Sequence, residues 1–261
     1  MEGERNKAAQ WLNLVFTEPY YMYHFLALFS YFVVRTSSVS VLSPTFADRL
    51  IYREIQAALA FGVLTAIKMV REETWEGFIG DTLFFAKIFL VALALMMEYN
   101  LALWYIVAFS VMYITTQQPA FQGSGASNKL TPLQLEALLT EGNTSRFWLV
   151  ELRSSYSSDC IRSSRCFPEL SITYSNKNLA FAMVDLGVFP NAAEKFGIFL
   201  GSMDQLPSYI LFENATAIAR FPEFDFEHKG YHPTITKRLL SRYFELDRRL
   251  LEYVNGRGTQ G

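Results

Sequence analysis

Four apolar stretches fill most of the first 116 residues: Tyr20–Val34, Ile55–Val70, Leu83–Met97 and Leu101–Thr115. A chain of this kind has few places to put so much uninterrupted apolar surface. Each stretch runs to roughly 14 to 17 residues, short of the ~20 that carry a helix across a hydrocarbon core. Tyr20, Tyr21, Tyr52, Trp75 and Tyr113 flank the stretches and suit the membrane–water interface. Glu98, Tyr99 and Asn100 alone separate the last two, and Thr82–Tyr113 is long for one span and tight for two. A short helical hairpin, or one span beside an interfacial helix, is expected there. The competing reading is a soluble helical bundle. Against it, the charged residues fall between the stretches. Lys68 and Lys87 are the exceptions, and a lysine inside a span is costly unless it can snorkel to the interface. The composition agrees with a membrane region, with 51% hydrophobic residues, 23 Phe and a mean hydropathy of +0.14.

Charge excludes some functions. A net charge of −2 gives no basic excess for nucleic acid and no acidic tail. The polar, charge-balanced segment Met1–Gln10 does not read as a removable signal peptide, so the first apolar stretch is expected to stay as an anchor. With four spans, the side shared by the N-terminus, the second loop and the C-terminal half collects Arg5, Lys7, Lys68, Arg71 and Lys129. The other side collects Arg35, Arg49 and Arg53, which leans towards a cytosolic C-terminal half.

From Gln117 the composition changes. Residues 117–129, with Pro119, Gly123, Ser124, Gly125, Ser127 and Asn128, read as a linker between a membrane region over 1–116 and a second domain over 130–254, with 255–261 as a tail. Thr131 and Pro132 open a helix that Gly142 ends. Strands are expected at Phe147–Leu152, Leu179–Asp185, Ser208–Phe212 and Thr216–Phe221, the last two joined by a hairpin through Glu213–Asn214–Ala215. Helices are expected at Cys160–Tyr174, Asn191–Phe196 and Ile235–Tyr253. The order describes an α/β domain with parallel and antiparallel strands and helices on both faces.

Within that order, Val150–Glu151–Leu152 ends a strand, and Tyr156–Ser157–Ser158–Asp159–Cys160 opens a helix. Leu206–Pro207–Ser208 leads into the strand beginning at Ser208. This arrangement resembles the thioredoxin superfamily. Tyr156 stands at the Trp of its Trp-Cys-x-x-Cys segment, Ser157 at the first Cys and Cys160 at the second. Glu151 stands at the buried acid, and Pro207 at the cis-proline. Arg165 stands where a helix-kinking proline is usual. The segments Trp148–Leu152, Tyr156–Cys160 and Leu170–Tyr174, the long stretch Gly197–Leu206 and the tail Phe224–Leu246 are similar to the thioredoxin-related transmembrane protein 2 family. That resemblance implies a thioredoxin-like fold behind an all-helical transmembrane region. It also implies an endoplasmic reticulum membrane location, a cytosolic face for the domain, protein or peptide partners, a homodimer and a role in folding homeostasis.

The chemistry can be weighed from the residues. Dithiol exchange needs an exposed, acidic thiolate and a second thiol to resolve the mixed disulfide. Ser157, Ser158 and Asp159 form a degenerate motif that leaves Cys160 as the single candidate redox thiol, and Asp159 beside it is expected to raise its pKa. Six residues of helix would hold Cys160 and Cys166 roughly 9 Å apart, too far to bridge. Tyr156, Glu151 and Pro207 are read as groove and support. Two functions compete: a redox-inactive docking module with Cys160 as a sensor, and a monothiol oxidoreductase or isomerase using Cys160. His228 and His232 have zinc-compatible spacing but no neighbouring cysteine, so neither a metal nor a cofactor is expected. Asn143-Thr-Ser and Asn214-Ala-Thr are acceptor sequons that offer a test of topology.

Overall fold

The computed structural model describes residues 17–38, 43–123, 125–141, 146–199, 205–223 and 234–258. The chain divides into two units, Met1–Pro119 and Ala120–Gly261.

The first unit is helical: α1 (Pro19–Ser38), α2 (Pro44–Arg71), α3 (Trp75–Met97) and α4 (Tyr99–Thr115). Thr74 caps α3, its hydroxyl accepting the Gly77 N–H at 3.2 Å. Only Glu98, in extended conformation, separates α3 from α4, so the expected hairpin forms. Ala94 and Ala102 let these two helices approach, and Tyr31, Leu90 and Tyr105 complete the packed seam. By length and composition α2 and α3 are able to cross a membrane, and α4 is a shorter apolar helix. Polar groups close on one another inside the unit. Tyr31 Oη and Arg35 Nε both donate to Glu54 Oε1, at 2.6 and 2.9 Å. Lys68, one of the two lysines inside an apolar stretch, is ion-paired with Asp81 at 2.5 Å and Glu72 at 3.5 Å.

The second unit is built on one sheet of β1 (Asn128–Lys129), β2 (Phe147–Arg153), β3 (Leu179–Asp185), β4 (Ser208–Glu213) and β5 (Thr216–Phe221), in the order β1-β3-β2-β4-β5. β3 runs parallel to β1 and β2, whereas β4 is antiparallel to both β2 and β5. The helices are α5 (Pro132–Glu141), α6 (Ser158–Arg162), α7 (Cys166–Tyr174), α8 (Lys237–Tyr243) and α9 (Leu246–Gly258). Period-two alternation sorts the strands onto two cores. Val150, Leu152, Ala182, Val184 and Ile210 face one, with Leu135 of α5 and Cys160 of α6. Leu149, Phe181 and Leu211 face the other, with Phe167 of α7 and Leu240 of α8. Thr131 caps α5 reciprocally with Gln134: the Gln134 N–H donates to Thr131 Oγ1 and the Thr131 N–H to Gln134 Oε1.

Several expected elements change form. The helix expected at Cys160–Tyr174 is two helices. Ser163 and Ser164 turn their hydroxyls back onto Asp159 O and Ile161 O, at 2.8 and 2.6 Å, and the helix breaks there without a proline. The helix expected at Ile235–Tyr253 divides into α8 and α9 at Glu245, whose φ of 51° is left-handed. Asn191–Phe196 resolves into two 3-10 turns, Pro190–Ala192 and Glu194–Phe196, stopped by Gly197 at φ 65°. The segment 117–129, read as a linker, contributes β1 to the sheet and docks Phe121 N–H on Ser164 Oγ and Ala126 N–H on Ser171 Oγ. Its small and polar composition hid these attachments, because they are backbone contacts to serine side chains. At the other end α9 runs on to Gly258, past the expected limit of 254.

Candidate functional site

β2 and β4 bring the site together. β2 ends at Arg153, the chain turns through Ser154–Ser157, and α6 begins at Ser158. Ser157 is the N-cap of this helix, its Oγ accepting the Cys160 N–H at 3.5 Å. The serine at the first motif position therefore holds the start of the helix. Tyr156 stands outward, 69% exposed, beside Gly187. Ser158 and Asp159 are exposed. Asp185 accepts from Ser155 Oγ and from the Gly187 N–H, tying the loop after β3 to the loop after β2. The Leu206–Pro207 bond is cis, Pro207 is buried, and β4 starts at the next residue, with Ser208 the register partner of Leu152 on β2.

The single sulfur of the motif is turned inward. Cys160 is 1% exposed, packs in the core that includes Leu152 and Leu206, and accepts the Ser154 N–H on Sγ at 3.4 Å. Burial pushes its thiol up to about 12, only partly offset by the hydrogen bonds from Ser154 and Ser157. The nearby carboxylate that adds to the rise is Glu151; the expected contribution from Asp159 is not among the causes. Cys166 is buried too, and its Sγ rests against Ile235 O at 3.8 Å. The two cysteines sit on separate helices and form no disulfide.

Beneath the motif lies a polar pair inside the second core. Glu151 and Tyr209 are register partners across β2 and β4, both fully buried, with Tyr209 Oη donating to Glu151 Oε1 at 3.3 Å. Glu151 Oε2 meets no hydrogen-bond partner among the described residues. Burial raises the Glu151 carboxyl to about 7, and Arg153 and the Tyr209 hydrogen bond restrain the rise. Burial likewise lifts the Tyr209 phenol well above its ordinary value. Glu151, Cys166 and Cys160 add to that shift. The motif reading named Glu151 but missed Tyr209. The available signal was the alternation from Pro207, which puts position 209 on the Glu151 face, together with an aromatic residue that brings a hydroxyl into a core. Ser154 was missed as well, because it acts on Cys160 through its backbone N–H.

His228, His232 and Asn143 fall outside the described residues. Among the described residues no three His, Cys, Asp or Glu side chains gather as metal ligands. Asn214 is exposed at the tip of the β4–β5 hairpin, with φ of 49°.

A five-stranded sheet of this order, with a cis-proline opening β4 opposite a helix that begins at the end of β2, defines a thioredoxin-like domain, here following a helical region with two apolar helices long enough to span a bilayer. The relatives carry the same description. The chain is 26% identical over 239 residues to thioredoxin-related transmembrane protein 2 of Xenopus tropicalis, covering 88% of this chain and 83% of that protein. It is 23% identical over 223 residues to the Drosophila melanogaster homologue, covering 81% and 82%. It is 25% identical over 173 residues to that of Caenorhabditis elegans, covering 65% and 64%. The resemblance to the thioredoxin-related transmembrane protein 2 family thus extends over both units. Among solved structures, Fasciola hepatica thioredoxin matches with a TM-score of 0.31 at 21% identity, over 36% of this chain and 84% of that one. Schistosoma mansoni thioredoxin matches with a TM-score of 0.31 at 23% identity, over 37% and 84%. No family model matches the chain.

Proposed function

We propose that this protein is a multi-pass membrane protein of the endoplasmic reticulum whose thioredoxin-like domain faces the cytosol and works as a docking or regulatory module in folding homeostasis, without dithiol–disulfide turnover. Its membrane region, residues 1–116, carries the domain through the segment 117–129. The observation that carries this reading is the state of Cys160. It is the only sulfur in the motif, it is buried, and its thiol is held near 12 by that burial, so almost none is thiolate at neutral pH. The partner surface in this reading is the rim of the degenerate motif with its exposed Tyr156, together with the Pro207 turn that opens β4. In this reading Ser157, Ser158 and Asp159 shape that rim, Glu151 supports it from below, and the homodimer implied by the resemblance is one partner. The same burial counts against a monothiol oxidoreductase.

The test combines labelling with turnover. At neutral pH, iodoacetamide is expected to leave Cys160 of the folded protein unmodified and to reach it only after denaturation, and insulin reduction is expected to stay at background. Thioredoxin-like turnover by the wild type would sink the reading. Ser157→Cys restores a second sulfur at the helix start and serves as the positive control, with a disulfide between the introduced thiol and Cys160 expected under oxidant. Topology is tested at the Asn214 sequon: the exposed hairpin tip is expected to stay unglycosylated in microsomes, and sugar there would place the domain in the lumen.

A further inference from the structure

The chain enters the second unit as a strap laid across the helices that carry the motif. Phe121, the second residue of that unit, donates its N–H to Ser164 Oγ at 3.0 Å. Ala126 donates its N–H to Ser171 Oγ at 2.9 Å. Both serines are fully buried, and each hydroxyl donates in turn to the carbonyl three residues back, Ile161 O and Pro168 O, at 2.6 Å in both cases. The Arg165 guanidinium lies 4.7 Å from the centre of the Phe121 ring. Gly125 has a φ of 59° and packs so closely that a Cβ there would overlap Pro168 O and Ser171 Oγ. β1 then anchors the far end of the strap on β3.

The first of these attachments falls where α6 has least support of its own. α6 has five residues, too few to hold a helix in isolation. Ser157 caps its start, and Cys160 and Ile161 are its buried side chains. Its end is fixed by the hydroxyls of Ser163 and Ser164, and the strap bonds to the second of these. The outer side of the strap is open to solvent: Gln122, Gly123, Gly125 and Ala126 are exposed, and Phe121 is half-buried. A contact held by hydrogen bonds with little apolar burial opens at far smaller cost than the whole domain.

We propose that Phe121, Gly125 and Ala126 form a latch over the α6–α7 break. Seated on Ser164 and Ser171, the latch holds the break in place and Cys160 inside. Lifted, it frees α6 to open and expose the thiol while the sheet stays folded. Because Phe121 stands at the start of the unit, a displacement of the chain that precedes it reaches these contacts before it reaches the sheet. The inference rests on the reading that burial silences Cys160, and it names the contact whose release ends that silence.

Iodoacetamide labelling of the full chain in detergent micelles at mildly alkaline pH, read at Cys160 by peptide mass spectrometry, tests this. Gly125→Ala lifts the strap without changing either helix, and Ser164→Ala removes the first attachment. Each is expected to label Cys160 about tenfold faster than the wild type without urea. The double variant is expected to label within about twofold of the faster single one, because both act through one contact. Phe121→Ala keeps the strap N–H, removes the ring beside Arg165 and is expected to change the rate in the same direction by less. The faster labelling is expected to stay flat in low urea, since a local opening exposes little surface. Tyr243→Phe serves as the control: it removes hydrogen bonds from α8 to Arg220 O and Glu223 Oε1 and is expected to leave Cys160 at the wild-type rate. Wild-type rates in Gly125→Ala and Ser164→Ala overturn the latch, as does an equal acceleration in Tyr243→Phe or a double variant whose effects multiply. Rapid labelling of Cys160 in the wild type would instead sink the reading that burial silences it, so the two failures are told apart.

Discussion

The helical unit and the α/β unit sort similar side chains in opposite directions. In the first, Phe25, Phe32 and Trp104 point outward at 61%, 64% and 72% exposure, while Tyr31, Arg35 and Glu54 close on one another inside. In the second, Leu149, Phe167 and Phe181 are buried, while Arg248 pairs with Glu245 and Glu252 on the surface. The same aromatic residue is thus a contact with the surroundings in one unit and a core element in the other. The difference identifies the medium each unit is built for: hydrocarbon gives outward apolar groups no penalty and leaves inward polar groups no water, and an aqueous medium reverses both.

The largest test of this contrast compares two phenylalanines. Phe167→Ala empties a site packed against Phe181 and Tyr209 and is expected to cost about 3–5 kcal/mol, read as loss of hydrogen-exchange protection across β2 and β3. Phe25→Ala, on the outward face of α1, is expected to change the stability of the helical unit in micelles by less than about 0.5 kcal/mol. Similar losses at the two sites would break the contrast.

The next effect comes from a carboxyl placed against the rule of the second unit. Glu151 has an ordinary value of 4.5 and is raised to about 7 in the fold. Below 4.5 both folded and unfolded chains hold the proton, and the group has no effect. As pH rises from 4.5 towards 7 the unfolded chain releases it while the folded chain keeps it, so stability falls, levelling off above 7. At about 1.4 kcal/mol per pKa unit the full penalty is on the order of 3 kcal/mol. Glu151→Gln is expected to flatten that slope in denaturant melts at pH 4.5 and 7.5. A wild-type profile as flat as the variant's would show that Glu151 is better satisfied than its unpartnered Oε2 indicates.

Much of this is readable in the sequence, for reasons that differ along the chain. Apolar stretches mark helices because a bilayer-facing helix carries its signal in every residue, which is why α2 and α3 stand out and only their ends are misplaced. Strands β2 to β5 stand out because alternation or continuous burial marks them. Glu151, Cys160 and Pro207 are visible as a spaced motif. The breaks at Ser163–Arg165 and at Glu245 are not visible. Serine hydroxyls turning onto carbonyls, and one residue in the left-handed region, leave the apolar period of the surrounding helix intact. Tyr209 escapes because its role depends on a register partner 58 positions away, and pairing across strands is not carried by either strand alone.

The smallest effect belongs to the ion pairs, and there the two units should differ again. Lys195 and Glu136 meet at 3.2 Å with side chains 65% and 60% exposed, so water already solvates both. Lys195→Ala is expected to change stability by no more than about 0.5 kcal/mol, and less in high salt. Arg35 and Glu54 meet at 2.9 Å with side chains 14% and 24% exposed, and Tyr31 donates to the same oxygen. Arg35→Ala leaves that carboxylate with a single neutral donor and is expected to cost about 2 kcal/mol, insensitive to salt. Melting both variants in the same micelle at low and high ionic strength decides the matter. If Arg35→Ala proves as mild and as salt-dependent as Lys195→Ala, then water reaches Glu54, and the inward polar cluster of the helical unit is a solvated surface instead of a lock between α1 and α2.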